Sequence, residues 1–308
     1  MVQAKARLLV VGGSGFIGQH IVNHAVGLGW DVTNLSLTPR PGGEGISSGV
    51  RYVAADLANG DSLKAALGDS SFEYVVNCGG YIDHTLFFRG GRNIFDAHFR
   101  GVLNLVEVLD RAALQAFVNI GSSDEYGNNP SPQRESQREA PISPYSSGKV
   151  AATHFLQMLH RTENFPSTTL RLFLTYGPGQ DKRRFLPQII TGCLEGRSFP
   201  TSEGRQLRDF CFIEDTVAAV FAALVSPSVK GEVINIGSGQ PVSIRQMIET
   251  VQRLVGGGIP NFGAVAYRPG ENMHLVADIS KAKAILAWQP MVALDLGLKK
   301  TIKWMMDQ

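Results

Sequence analysis

Gly12-Gly13-Ser14-Gly15-Phe16-Ile17-Gly18 directly follows the apolar run Leu8-Leu9-Val10-Val11 and opens a helically spaced segment over 16–28. A glycine fingerprint carries weight in that setting, between a strand and a helix. Its glycines permit a tight turn, let a pyrophosphate approach the backbone and let the helix lie close to the strand. The first helical turn offers free N–H groups and positive potential to phosphates. Gly12, Gly15, Phe16, Ile17 and Gly18 are therefore candidate dinucleotide-binding residues.

Outward from this stretch, strand and helix alternate. The segments 32–37, 52–54, 74–77, 117–120 and 169–175 read as strands. A short helix over 62–67, capped by Asp61, and a long helix over 93–111 lie between them. Short apolar strands alternating with helices predict an α/β protein with a parallel, doubly wound sheet of the Rossmann type. Beyond residue 175 the pattern loosens. Helices are expected near 186–194, 214–225, 244–254 and 281–286, with a strand over 233–236. This divides the chain into a dinucleotide-binding domain, 1–175, and a smaller α/β substrate-binding lobe, 176–308, some of whose segments return to the first domain. The proline-rich stretch 128–144 is long enough for a mobile flap, or is a surface loop.

The end of the second strand discriminates between cofactors. NAD-binding proteins usually place an acid there for the adenosine ribose. This chain reads Val32-Thr33-Asn34-Leu35-Ser36-Leu37-Thr38-Pro39-Arg40, with Ser36 about where the acid would be. Arg40 is placed to meet a 2′-phosphate, so the reading leans to NADP, with NAD as the alternative. Asp56-Leu57, after the third strand, either contributes near the adenine or forms a turn.

Ser143-Pro144-Tyr145 looks like a helix start, with Ser143 as N-cap and Pro144 at the first helical position. Tyr145 and Lys149 then share a face. A phenol is a poor acid–base catalyst at neutral pH unless its proton is loosened. An ammonium ~4 Å away favours the phenolate by roughly 4 kcal/mol at an effective dielectric near 20, and the helix N-terminus pushes the same way. Tyr145 is thus a candidate proton shuttle. Ser122, at the end of the strand 117–120, is placed to bind the reacting oxygen. Ser122, Tyr145 and Lys149 are the candidate catalytic residues, and Tyr145 and Lys149 also count toward the cofactor site.

Bulk properties limit the alternatives. The chain has 308 residues, 44% of them apolar, and a net charge of +2. That balance and the absence of a basic tract argue against nucleic acid. No apolar run approaches the ~18 residues of a membrane span, and the first residues carry no signal-peptide pattern. Cys78, Cys193 and Cys211 have no metal-ligand or disulfide spacing, which points to a reducing cytoplasm and no metal.

These segments together resemble the extended short-chain dehydrogenases/reductases, the NAD-dependent epimerase/dehydratase family. The likeness continues through Arg171-Leu172-Phe173, Tyr176-Gly177-Pro178-Gly179, Arg208-Asp209-Phe210, Asn235-Ile236-Gly237-Ser238-Gly239 and Arg268-Pro269-Gly270-Glu271. The resemblance implies a nucleotide diphosphate sugar between the lobes, with Arg208 and Arg268 on its diphosphate, where a guanidinium fork binds two oxygens at once. Ser123 and Asp124 become candidate substrate contacts. It also implies a homodimer joined by the helices near 93–111 and 145–161. Ile94, Val102, Leu105, Phe155 and Leu159 would suit that seam or an internal core.

The reaction is less specified. The family's 4,6-dehydratases carry Thr-Asp-Glu at the position of Ser122. Aligned on Tyr126-Gly127, this chain has Ser122-Ser123-Asp124, with one acid, which disfavours a dehydratase unless a one-residue slip brings in Asp124-Glu125. Gly121-Ser122-Ser123-Asp124-Glu125-Tyr126-Gly127 is similar to the corresponding stretch of GDP-6-deoxy-mannose reductases. That favours NADPH-dependent reduction of a 4-keto-6-deoxy sugar nucleotide, with an NAD-dependent 4-epimerase as the alternative. A non-catalytic NADP-binding regulator fits less well, because both Tyr145 and Lys149 are present. The chain departs from the family at His98 and Leu174, both usually Asn. His98 either packs or orients Lys149 through a water, and Tyr81-Ile82-Asp83-His84 either touches a sugar or forms a plain loop.

Overall fold

A computed structural model describes residues 5–38, 49–267 and 271–308. The strands of the first half are β1 (Arg7–Val11), β2 (Asp31–Ser36), β3 (Val50–Ala54), β4 (Tyr74–Asn77), β5 (Ala116–Ser122) and β6 (Ser167–Leu172). Those of the second are β7 (Leu174–Tyr176), β8 (Ser198–Pro200), β9 (Leu207–Phe212), β10 (Val233–Ile236), β11 (Pro241–Ser243), β12 (Ile259–Asn261) and β13 (His274–Leu275). One parallel sheet runs in the order β10-β6-β5-β4-β1-β2-β3. The chain order reverses beside β1, which opens a crevice at the carboxyl ends of β1 and β4, where ligands bind in folds of this kind.

Helices cover both faces of that sheet, so its strands are apolar on both sides. Leu8 and Val10 of β1 pack with Ile21 and Val22 of α1 (Phe16–Gly27). Leu9 and Val11 face the other way, into a cluster with Leu63, Leu105 and Leu156. Those three come from α2 (Gly60–Leu67), α4 (Arg100–Val108) and α5 (Pro144–Glu163), with α3 (Gly91–His98) preceding α4. β11, β9, β13 and β7 form a second sheet, and β12 pairs with β8.

The local readings need three adjustments. The helix expected over 93–111 is two helices that meet at Phe99 (φ −95°, ψ −58°), with no proline or glycine at the break. Asp61 does not cap α2. Asn59 does, accepting from Ser62 N at 3.0 Å, because the helix starts earlier, at Gly60. The strand expected over 169–175 is divided at Phe173, whose N–H bonds Ile236 O at 2.9 Å, after which β7 leaves for the second sheet. Val102, Leu105 and Leu159 lie in the apolar cluster of Leu9 and Val11, Phe155 packs partly buried against it, and Ile94 is buried as well.

Asp209 on β9 fastens the second sheet. Its fully buried carboxylate accepts from Ser238 Oγ (2.6 Å), Gly239 N (2.9 Å) and Ala277 N (3.1 Å). Asp209→Ala would strand these donors, so we expect a loss of about 3–5 kcal/mol in urea unfolding.

Candidate active site

The glycine loop forms one wall of the crevice. Gly12 has φ +75°, and a Cβ there would lie 2.8 Å from Cys78 O. A Cβ on Gly18 would lie 2.3 Å from Gly12 O, so only glycine lets α1 approach the loop this closely. The N-cap of α1 is Gly15, which supplies no side-chain acceptor. The first amides of the helix, including those of Phe16 and Ile17, therefore stay open toward the crevice. Ser14 Oγ is buried without a protein partner. Open amides and an orphaned hydroxyl at a glycine turn fit a dinucleotide pyrophosphate.

Ser36 sits at the carboxyl end of β2, buried, accepting from Ser14 N at 3.1 Å and donating to Asn34 Oδ1 at 2.9 Å. Its hydroxyl thus braces the glycine loop. Arg40 lies outside the described residues, as does Arg268. Asp56 is exposed and closes a turn by accepting from Ala58 N at 2.9 Å. Leu57 packs beneath the loop against Gly79 and Gly101.

The second wall carries the candidate acid–base residues. Ser143 caps α5, its Oγ accepting from Ser146 N at 3.1 Å, with Pro144 at the first position. Tyr145 and Lys149 follow on the same face, 5% and 6% exposed. Ser122 ends β5, and its hydroxyl lies close enough to Tyr145 to draw the phenol's proton affinity down. Burial outweighs this and, with the charges of Asp124 and Glu125, holds the phenol well above its ordinary range. The expected loosening by Lys149 is therefore not the dominant effect. The lysine donates to Ile120 O at 2.7 Å, which directs its ammonium at the end of β5. Burial lowers Lys149 to about 8, against the opposing pull of Glu125 and Cys78.

The acids in the Ser122 turn have separate fates. Glu125 is fully buried. Its Oε1 accepts from Ser122 N at 2.9 Å, and its Oε2 from Thr153 Oγ1 at 3.0 Å and Arg171 Nε at 2.9 Å. Asp124 instead faces the cleft. Burial raises its carboxyl, while His84 and Arg208 pull it back. Arg208 is itself ion-paired with Glu271. A one-residue slip in alignment would give Glu125 a catalytic part, but its carboxylate is committed to structure. Ser123 is buried beside Ser122, whereas Leu174, where the family has Asn, is exposed.

Two histidines flank Tyr145. His98 is buried, its ring 4.9 Å from the phenol ring, and Nε2 donates to Tyr81 O at 2.9 Å. Burial, reinforced by Lys149, lowers it to about 3, so the ring is neutral. His84 stands on the open side, 5.7 Å from the Tyr145 ring. Sequence reasoning left His84 open and did not find the tie of Arg171 to Glu125. These residues are 46 positions apart, and nothing in their spacing signals contact. A separate groove of about 810 Å³ lies outside this cleft, lined by Arg134, Arg138, His154 and Lys281 among others. Among the described residues no cluster suits a metal ion and no helix is long and apolar enough to cross a membrane.

Residues 8–237 match the NAD dependent epimerase/dehydratase family model, and the chain belongs to that family. A dTDP-glucose 4,6-dehydratase of Xanthomonas campestris pv. campestris is 28% identical over 97% of this chain and 93% of its own. A UDP-glucuronate 4-epimerase of Thermodesulfobacterium geofontis is 28% identical over 84% and 80%. The solved structure of MoeE5 in complex with UDP-glucose and NAD is 26% identical, with a TM-score of 0.84 over 98% and 99%.

Lysine burial gives a pH signature. Between about pH 8 and 10.5 the unfolded chain retains a proton that folded Lys149 has lost, so this residue makes stability rise with pH across that window. Lys149→Met removes the slope. The wild-type melting temperature, measured relative to the variant's by differential scanning fluorimetry, is expected to climb through that range. Glu125→Ala leaves Arg171 partly uncompensated and should cost about 3–5 kcal/mol in denaturant unfolding.

Proposed function

We propose that this chain reduces a 4-keto-6-deoxy sugar nucleotide at C4 with NADPH. The observation that carries the reading is the buried, protonated phenol of Tyr145 beside Ser122. A group that keeps its proton until a strong base forms beside it suits delivery to an oxyanion. When bound, the dinucleotide supplies the hydride for C4. Ser122 orients the reacting oxygen, and Tyr145 gives it the proton. Lys149 holds positive charge one helical turn away below about pH 8, helping the phenol release that proton.

NADPH is favoured because β2 ends in Ser36 and carries no carboxylate where the ribose hydroxyls would be met, while Arg40 follows as a partner for the 2′-phosphate. The sugar nucleotide follows from the family and from Arg208, a cation bordering the same cleft as Asp124, with Arg268 as its companion on the diphosphate. A 4,6-dehydratase is disfavoured because Glu125 is locked to Arg171 and Asp124 alone faces the cleft. The similarity to a UDP-glucuronate 4-epimerase favours a second reading, an NAD-dependent 4-epimerase in which Tyr145 would take the proton from the C4 hydroxyl and return it, with Ser122 orienting that oxygen. The free cysteines fit a reducing, cytoplasmic setting.

The test is absorbance at 340 nm with purified protein, NADPH and a panel of 4-keto-6-deoxy sugar nucleotides. We expect stoichiometric loss of NADPH with at least one of them and a fall in kcat of about 100-fold or more for Tyr145→Phe. Interconversion of 4-hydroxy epimers on bound NAD, with no net loss of reduced cofactor, would replace this reading with the epimerase.

A further inference from the structure

Each reduction removes the phenolic proton of Tyr145, and that proton must be replaced before the next turnover. The phenol is 5% exposed, so water does not reach it freely. On one side His98 is neutral and buried, with its Nε2–H held by Tyr81 O. Lys149 is buried and directed at Ile120 O. The remaining side is open and carries His84. The side chain of His84 is 51% exposed, and its Nε2 lies 3.8 Å from Asp124 Oδ2.

The loop that presents His84 is fixed locally. Asp83 Oδ1 accepts from Thr85 N at 2.7 Å and from Thr85 Oγ1 at 2.6 Å, clasping the residue between them. Asp124 is fixed as well, its backbone N–H donating to Ser122 Oγ at 3.1 Å. Its carboxylate follows Ser122 on the same turn and is one of the charges that raise the phenol's proton affinity, with Arg208, Glu125 and Arg184 as the other charges near the pair. A separation of 3.8 Å exceeds a hydrogen bond, but one bridging water or a small side-chain rotation closes it.

We infer that His84 and Asp124 form a proton-supply relay that reloads Tyr145 from solvent. The inference rests on the reading of Tyr145 as proton donor. When the phenolic O–H bond breaks and the sugar oxygen takes the proton, the Asp124 carboxylate takes the proton of the His84 imidazolium and passes it to the tyrosinate, and neutral His84 takes one from water. The relay moves no electrons, and one solvent proton enters for each hydroxyl formed. His84 acts through Asp124 and never touches the reacting atoms. Histidine suits the solvent end because its ordinary titration lies near neutrality.

Two measurements test the relay. The first needs no substrate. In protein labelled at tyrosine Cζ, the Tyr145 signal (assigned by its loss in Tyr145→Phe) should show a step between about pH 5 and 8. That step should track the His84 ring protons and vanish in His84→Asn and in Asp124→Asn. A Tyr145 signal without the step overturns the relay.

The second measurement is turnover. His84→Asn should lower kcat about tenfold or more with KM little changed, flatten its fall with rising pH, and regain activity on addition of imidazole. An unchanged kcat and pH profile, or a loss that imidazole does not relieve, overturns the relay while leaving Tyr145 as donor intact. Absence of any Tyr145-dependent turnover in the wild type defeats the donor reading instead, and the labelled-tyrosine titration then decides whether His84 is coupled to the phenol.

Discussion

The ion pair between Arg171 and Glu125 is the constraint from which the candidate site is built. Arg171 stands on β6, between β10 and β5 of the sheet, with no exposed surface, and its partner on the Ser122 turn has none either. Charges so placed persist only when paired and hydrogen-bonded. Glu139 supplies the second carboxylate to Arg171 from the loop before α5, and the Tyr126 ring lies 4.7 Å over the guanidinium. Glu125 also accepts from Ser122 N and from Thr153 on α5. A single buried guanidinium thus fixes β5 against β6, docks α5, and sets the direction of Ser122.

That arrangement explains why neighbouring acids differ in use. Glu125 is held in the interior by Arg171, Thr153 and Ser122 N, and its task is positional. Asp124, one residue earlier, projects from the same short turn into the cleft, where water, Arg208 and His84 compete for it. The turn therefore buries one carboxylate against Arg171 and leaves the other beside His84. Tyr145 shows a similar asymmetry, with a dry neutral imidazole on one side and a wet imidazole on the other.

The glycine loop shows the same economy of space. Gly18 lies against Gly12, and Gly13 against the Asn34 side chain, so the loop has no room for a Cβ at either end. Ser36 joins the loop to β2 through Ser14 N. The position where NAD-binding proteins usually carry an acid for the ribose here braces the glycine turn.

Much of this was legible in the sequence because it is local. The glycine fingerprint, the N-cap at Ser143, the spacing of Tyr145 and Lys149 and the strand–helix alternation are set within a few residues, by backbone sterics and by the periods of helix and strand. The end of β6 was not legible in the same way, since 169–175 is one apolar run and only the pairing of Phe173 with Ile236 and of β7 with β9 divides it. The break at Phe99 carries no proline or glycine to announce it. Nor did local sequence say that Lys149 would aim at Ile120 O or that burial would tighten the proton on Tyr145. Proton affinity depends on the dielectric and on charges brought together from distant positions. The sequence by itself determined the fold class and brought forward Ser122, Tyr145 and Lys149 as candidates, whereas tertiary structure alone decided which carboxylate is buried, which histidine meets water and how firmly the phenol holds its proton. Those properties arise only when β5, β6, α3 and α5 exclude water around one another.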